Sequence, residues 1–219
     1  MKLKLFIGVV LVLGLAASGA WADLLTTPGL TITNGDKTFS DFTCNIISTG
    51  GGIPTACSAV SVYADTDPVT GNLGIDFQGF FQVLCVGCAS PYSTEDVKIT
   101  YVVTAPSPLI TDIHMVYDGS QWGTGSSVVD EEVFSGETVV GNIDVTDPPP
   151  SFTAGTVLTG GPYESVRVVK DIGLSSGPDG GASLSDIGQY FSQTVPEPAS
   201  ILLFGTLLLG CGSLLRKRA

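Results

Sequence analysis

An alternation of apolar and polar residues, repeated between residues 30 and 174, is the feature of this sequence that most restricts its fold. Side chains two positions apart lie on the same face of a β-strand, so each alternating segment predicts a strand with one buried face. In GIDFQGFFQVLC, for example, Ile75 and Phe77 fall on one face and Asp76 and Gln78 on the other. Similar alternation is present in SAVSVYAD, DVKITYVVT, ITDIHMVY, SSVVDEEVF, TVVGNIDVT, TAGTVLT and ESVRVVKDI.

Turn-forming sequences rich in glycine, proline and aspartate separate these segments, among them NGD, DPVTGN, DPPP and TGGP. Short strands punctuated in this way predict an all-β fold, an antiparallel β-sandwich of the Ig-like or jelly-roll kind, over residues 23–174. Residues 175–194 are predicted to form a loop, a short helix over 182–193 and a linker. In that helix Ser183 would act as the N-terminal cap, with Leu184 and Ile187 on one face.

The N-terminal 22 residues have the features of a secretory signal peptide. Lys2 and Lys4 precede an apolar run over 5–15, and Ala20 and Ala22 provide the small residues that signal peptidase requires next to its cleavage site. The apolar run is short for a permanent span, so cleavage after Ala22 is favoured over an uncleaved anchor. The chain is therefore predicted to be exported.

The exported part is strongly acidic. The chain has a formal net charge of −12, and most of its basic residues lie at the two ends. All but one of the 21 acidic residues lie between Asp23 and Asp186. Such a surface repels phosphate backbones, so we expect no nucleic-acid partner. The run Asp130-Glu131-Glu132 predicts a solvated strand edge that resists pairing with another strand.

Four cysteines lie in the exported part and predict two disulfides in an oxidising compartment. Three pairings are possible, and proximity along the chain favours Cys44 with Cys57 and Cys85 with Cys88. A zinc site or a redox-active CxxC site would use the same cysteines, but the predicted compartment and the loop after Cys88 favour disulfides. Cys211 lies in the apolar C-terminal run and is interpreted as a small apolar residue.

Few residues in the sequence point to catalysis. The only histidine, His114, falls on the polar face of its predicted strand, and we find no pattern of catalytic residues, so the chain is predicted not to be an enzyme. No metal ligand is predicted firmly and no other cofactor is expected. Calcium is the open alternative, since oxygen-rich turns suit a hard cation, although aspartate also opens turns through its own side chain. The aspartates in question are Asp65, Asp67, Asp144, Asp147 and Asp179.

The C-terminal 25 residues have three parts in a fixed order. Val195-Pro196-Glu197-Pro198 precedes the apolar run 199–215, which is predicted to form a transmembrane helix, and Arg216-Lys217-Arg218 follows. The three basic residues favour the cytoplasmic side of the membrane. An otherwise polar chain is therefore predicted to be anchored in the membrane through its C-terminus.

This tail resembles the PEP-CTERM sorting signal of Gram-negative bacteria. The resemblance implies processing near Pro196–Pro198 by an exosortase-type membrane enzyme, followed by release to the cell surface or the medium. Proteins with this signal are linked to exopolysaccharide production and to biofilm matrices. The same C-terminal motif also occurs in some bacterial ice-binding proteins.

Two functional hypotheses follow from these observations. The first is an exported, non-catalytic surface or extracellular-matrix protein associated with exopolysaccharide. The alternative is an exported binding module for ice or carbohydrate, with calcium as a candidate cofactor. Phe80 or Trp122 on a sheet face would be available to stack on sugars. The threonines show no regular spacing of the kind expected for an ice-binding array.

Overall fold

The computed structural model describes residues 22–50, 55–85, 93–107, 109–147 and 153–193. Several predicted features lie outside these ranges: Ala20 and almost all of the signal peptide, Cys88, the processing motif Val195–Pro198, the helix 199–215 and the basic residues Arg216, Lys217 and Arg218. Within the described ranges, no helix is long and apolar enough to cross a membrane.

The described chain consists of twelve β-strands and one turn of 3₁₀ helix at Cys57–Ala59. The strands are β1 (Asp23–Leu24), β2 (Ile32–Asn34), β3 (Lys37–Thr49), β4 (Ser61–Thr66), β5 (Leu73–Cys85), β6 (Ser93–Thr104), β7 (Ile110–Trp122), β8 (Gly125–Ser135), β9 (Thr138–Asp147), β10 (Thr153–Val157), β11 (Ser165–Ser176) and β12 (Gly180–Gln193).

These strands form two six-stranded antiparallel sheets. Sheet A has the order β1-β4-β5-β12-β7-β10, and sheet B has the order β2-β3-β6-β11-β8-β9. The inward faces of the two sheets share one apolar core, in which the alternation read from the sequence places Ile75, Phe77, Phe81 and Val83 of β5. The predicted all-β sandwich is therefore confirmed.

The helix predicted over 182–193 is wrong, because this segment is strand β12 and pairs with β5 and β7 in the centre of sheet A. In the pairing with β7, a register shift between Leu184 and Asp186 leaves one extra residue, Ser185, in β12. The inserted residue makes the buried side chains of Leu184 and Ile187 three positions apart, which imitates helical spacing. The folded β-domain therefore continues to Gln193 and does not end at residue 174.

The interpretation of Asp130-Glu131-Glu132 as a solvated strand edge is also wrong. These residues lie in β8, which is paired on both sides, by β11 and by β9. Asp130 and Glu132 are exposed, but Glu131 points between the sheets and is fully buried beside Lys170. The position of Glu131 between the buried residues Val129 and Val133 carries the sequence signal for this orientation.

The predicted disulfide between Cys44 and Cys57 is confirmed, and it ties β3 to the 3₁₀ turn that leads into β4. Cys85 is buried at the end of β5 and is also disulfide-bonded. Its predicted partner, Cys88, lies outside the described residues.

Candidate functional site

The outer face of sheet A brings together polar and aromatic side chains from four neighbouring strands. Cross-strand register aligns Ser61 of β4 with Gln78 of β5, Gln78 with Asp186 of β12, and Asp186 with Asp118 of β7. The extra residue Ser185 in β12 lies at this row, where β-bulges commonly redirect side chains. A row of carboxylate and amide groups therefore crosses the middle of the sheet.

A groove of ≈480 Å³, here called the Phe80 groove, lies over this row and is lined by Gln78, Gly79, Phe80, Asp118, Ser185 and Asp186. The Phe80 side chain is 70% exposed. The Thr55 hydroxyl donates to the Phe80 carbonyl oxygen at 2.7 Å, which holds the backbone of this segment. Exposure of a large aromatic side chain beside a polar row is the most unusual feature of the sheet surface, because burial of such a side chain is strongly favoured.

Hydrogen bonds fix the amide of Gln78 in the groove. Its Nε2 donates to the Tyr63 hydroxyl at 2.8 Å and to Asp186 Oδ2 at 3.3 Å. Because these bonds orient the amide nitrogen toward Tyr63 and Asp186, the amide oxygen is left as a fixed acceptor. The polar groups are thus positioned before any ligand binds, which lowers the entropy cost of binding.

Asp76 lies beside this network on β5, almost completely buried. Burial, followed by a hydrogen bond and charge repulsion from Asp186, raises the pKa of Asp76 to about 7, against the opposing effect of a hydrogen bond with Tyr63. The pKa of Tyr63 is raised by burial and by its hydrogen bond with Asp76. Near neutral pH, Asp76 is therefore partly protonated and carries less than one full negative charge.

A second groove on the same face, of ≈560 Å³, has the β4–β5 turn on one side and His114 and Tyr190 among its other lining residues. In that turn Asp67 accepts hydrogen bonds from the Val69 N–H at 2.9 Å and the Thr70 hydroxyl at 2.5 Å. His114 Nδ1 lies 3.2 Å from Asp67 Oδ2, so the predicted polar-face histidine is partly buried and within hydrogen-bonding distance of Asp67.

The electrostatics of this turn favour an ionised Asp67. Burial alone would raise its pKa, but the hydrogen bonds from Thr70 and Val69 and the nearby His114 hold it below its usual value. Across the groove, the Tyr190 hydroxyl donates to Asp65 Oδ2 at 2.7 Å. The pKa of Tyr190 is raised by burial and by this bond.

The aspartates considered for calcium do not meet in one place. Asp67 uses both of its carboxylate oxygens within its own turn, Asp65 accepts from Tyr190, and Asp144 and Asp147 lie on β9 of the other sheet. Asp179 lies in the turn between β11 and β12. Within the part of the chain that the structure describes, no group of three or more His, Cys, Asp or Glu side chains is arranged to hold a metal ion. Calcium binding stays a prediction without a located site.

Of the two aromatic residues considered for sugar stacking, Phe80 lies in the groove and Trp122 lies at one end of the same face. Trp122 is directly opposite Gly181 of β12, and a Cβ atom at Gly181 would overlap its indole ring. Glycine therefore allows the indole to lie against the sheet. The network of Tyr63, Asp76 and Asp186 does not follow from the sequence pattern, because that pattern predicts a helix for the strand that carries Asp186.

No protein-family model matches this chain, nor does any curated protein sequence. Among solved structures, the enzymatically active domain of tailspike protein 4 from bacteriophage CBA120 is 12% identical over 68% of this chain, with a TM-score of 0.34. This chain corresponds to 19% of the length of that tailspike chain. TmCBM61, solved in complex with β-1,4-galactotriose, is 8% identical over 67% of this chain and 88% of its own length, with a TM-score of 0.31.

A third solved structure, the isomalto-dextranase of Arthrobacter globiformis T6 complexed with panose, is 9% identical over 70% of this chain and 35% of its own length. Its TM-score is 0.27. At these identities and TM-scores, none of the three likenesses bears on the function of this chain.

Proposed function

We propose that this chain is an exported glycan-binding module that binds neutral polysaccharide at the outer face of sheet A, in the Phe80 groove. The observation that carries this proposal is the exposed Phe80 ring beside hydrogen-bonded Gln78 and Asp186 in a groove of ≈480 Å³. The groove combines an apolar platform with fixed polar groups, which is the usual composition of a small-ligand site.

The chemistry of the groove matches that of a sugar ring. The C–H face of a pyranose is apolar and packs on an aromatic ring, whose exposed faces carry partial negative charge. Sugar hydroxyls donate to carboxylate oxygens such as those of Asp118 and Asp186 and exchange hydrogen bonds with the Gln78 amide. The net charge of −12 disfavours anionic polysaccharides, so we propose a neutral glycan.

The arrangement favours binding over hydrolysis. Glycosidases hold two carboxyl groups about 5–10 Å apart, on either side of the bond that they cleave. Here Asp76 and Asp186 interact directly with each other and do not face each other across a cleft. The mixture of Gln, Asp and Phe in the groove also favours a glycan over ice, for which a regular array of small residues is expected.

We expect the Phe80→Ala variant of the full chain to bind neutral polysaccharide about two- to tenfold more weakly, because an aromatic contact is worth about 0.5–1.5 kcal/mol. Affinity electrophoresis in gels that contain one of several neutral polysaccharides, or alginate as an anionic comparison, measures the change. Val157→Ala is the matched control, since Val157 lies on β10 of the same sheet and is 72% exposed. Wild-type retention by Phe80→Ala, or retention on no polysaccharide by the wild type, would contradict the proposal.

The location of the module is a separate part of the proposal. The sorting tail would hold the chain in the membrane until an exosortase-type enzyme cleaves near Pro196–Pro198, after which the β-domain stays at the cell surface or in the surrounding polysaccharide. In the native host, replacing Pro196, Glu197 and Pro198 by alanine is expected to leave an uncleaved, membrane-bound protein of higher mass. An unchanged mass and location in cell fractions would show that the motif does not direct processing.

A further inference from the structure

A fully buried cluster of polar side chains lies between the two sheets, away from the Phe80 groove. Lys170 of β11 and Glu131 of β8 are directly opposite each other in sheet B, and both side chains are 0% exposed. Gln189 of β12 approaches them from sheet A and is also fully buried. Lys170 Nζ lies 2.5 Å from Glu131 Oε2 and 2.9 Å from Gln189 Oε1.

This cluster offers fewer hydrogen-bond partners than a charged lysine and a charged glutamate would need. An ammonium group has three N–H donors, and the third neighbour of Lys170 Nζ is the weak acceptor Met115 Sδ, at 3.0 Å. Within the described ranges, Glu131 Oε1 has no hydrogen-bond partner. Burying two charges without enough hydrogen bonds to replace those made with water raises the free energy of the folded state. Burying a neutral amine and a neutral carboxylic acid costs much less free energy.

The titration of the two groups is shifted toward these neutral forms. Burial lowers the pKa of Lys170 and raises the pKa of Glu131, and the charge of each partner opposes the shift of the other. A neutral Lys170 has a free electron pair on Nζ and is a nucleophile, which its ammonium form is not. The side-chain carboxamide of Gln189, whose Oε1 lies 2.9 Å from Nζ, is an electrophile within reach.

We propose that Lys170 and Gln189 form an intramolecular amide cross-link, with Glu131 as the catalytic acid–base residue. The bond joins β11 of sheet B to β12 of sheet A through the core. This modification concerns the stability of the chain and does not depend on the proposed glycan binding.

The reaction is a transamidation that needs no oxidant, reductant or further reactant. Nζ of neutral Lys170 attacks Cδ of Gln189, and the bond between Cδ and Nε2 of Gln189 breaks. Glu131 accepts the proton that Nζ loses and gives a proton to the departing Nε2, so it ends the reaction in the protonated form in which it began. The products are a secondary amide between Nζ and Cδ and one molecule of ammonia.

The geometry places the reacting atoms close together. Since Nζ is 2.9 Å from Oε1 and a C=O bond is about 1.2 Å long, Nζ lies within about 4.1 Å of Cδ. Reacting atoms in near-attack arrangements are about 3–3.5 Å apart, so a small movement is sufficient. Gln189 Nε2 donates to the backbone carbonyl oxygen of His114 at 3.2 Å, which holds the carboxamide in its orientation.

Peptide mapping of the full chain tests the cross-link directly. Trypsin does not cleave after an acylated lysine, so we expect a peptide that begins at Val168, remains uncut at Lys170 and has lost the mass of one ammonia molecule. Digestion before aspartates separates Lys170 from Gln189 in the sequence, at Asp171 and Asp186. The two resulting peptides should remain joined, and their fragmentation should place the bond on Lys170 and Gln189.

Three variants distinguish the proposed chemistry from a buried ion pair. Lys170→Arg keeps a long basic side chain but cannot form the amide, and it should give two separate peptides. Glu131→Gln keeps Lys170 and Gln189 but should abolish the cross-link, whereas Lys98→Arg on the surface should leave it intact. Complete tryptic cleavage after Lys170 in the wild type, with Gln189 of unmodified mass, would overturn the proposal. A cross-link that persists in Glu131→Gln would overturn the role of Glu131.

Discussion

Replacing Lys170 by methionine is expected to lower the free energy of unfolding by about 3–5 kcal/mol, because removing one partner of a buried pair of ionisable groups leaves the other without its partner. Methionine fills a similar volume, so the loss comes mainly from Glu131 and Gln189, whose buried oxygens lose their donor. If Lys170 is cross-linked to Gln189, the same substitution removes that bond as well, and the loss is at least as large. Urea unfolding of the full chain, followed by tryptophan fluorescence, measures the change.

A surface ion pair provides the matched control for this substitution. Lys98 lies on the neighbouring strand β6, is 52% exposed and lies 3.4 Å from Asp171. Lys98→Met should therefore change the free energy of unfolding by about 0–1 kcal/mol. The double variant Lys170→Met with Glu131→Leu should recover the part of the loss that comes from Glu131, because no carboxyl group without a partner is then left in the core. A loss below about 1 kcal/mol in Lys170→Met would show that the cluster does not contribute to stability as argued.

Much of the fold was predictable because alternation reports directly on which face of a strand is buried. The apolar side of β5 follows the sequence pattern. The disulfide between Cys44 and Cys57 was favoured because these two cysteines are close in the sequence. The pattern failed in β12, where one residue inserted relative to β7 changed the spacing of Leu184 and Ile187 from that of a strand to that of a helix. A rule that counts positions cannot recognise a bulge, since the bulge becomes apparent only when the partner strands are known.

The candidate site was less predictable than the fold, because it depends on strand order. Asp76 and Gln78 were assigned correctly to the polar face of β5, but their partner Asp186 is far away in the sequence. Only the order β4-β5-β12-β7 brings Asp186 to Gln78, and alternation contains no information about that order. The buried pair of Lys170 and Glu131 did leave a signal, namely opposite charges at inward positions of two alternating strands. The acidic residues on both sides of Glu131 favoured the interpretation of this segment as a solvated strand edge instead.

Five aromatic side chains connect the two sheets at the centre of the core, and Phe77 contributes to this cluster from β5. Its ring centroid is 5.6 Å from that of Tyr101 and 6.5 Å from that of Phe42, both in sheet B. Phe39 lies 5.7 Å from Phe191 of sheet A and 6.3 Å from Tyr101. Because Phe77 is completely buried, Phe77→Ala removes contacts with both sheets and leaves a cavity, and we expect a loss of about 3–5 kcal/mol in the free energy of unfolding.

Phe80 lies three positions further along the same strand. Comparing variants of Phe77 and Phe80 therefore tests the proposed function as well as the packing. Phe77→Leu should lower the free energy of unfolding less than Phe77→Ala does, since leucine fills part of the cavity. Phe80→Ala should lower it by less than about 0.5 kcal/mol, because the Phe80 ring is already exposed to water. The affinity for neutral polysaccharide should change in the opposite order. Phe80→Ala should bind more weakly, whereas Phe77→Leu should bind as the wild type does as long as the protein remains folded. If Phe77→Ala unfolded at the wild-type urea concentration, the cluster would not hold the sheets together. If Phe80→Ala weakened folding and binding in parallel, its ring would be part of the packing, and the Phe80 groove would not be a preformed binding surface.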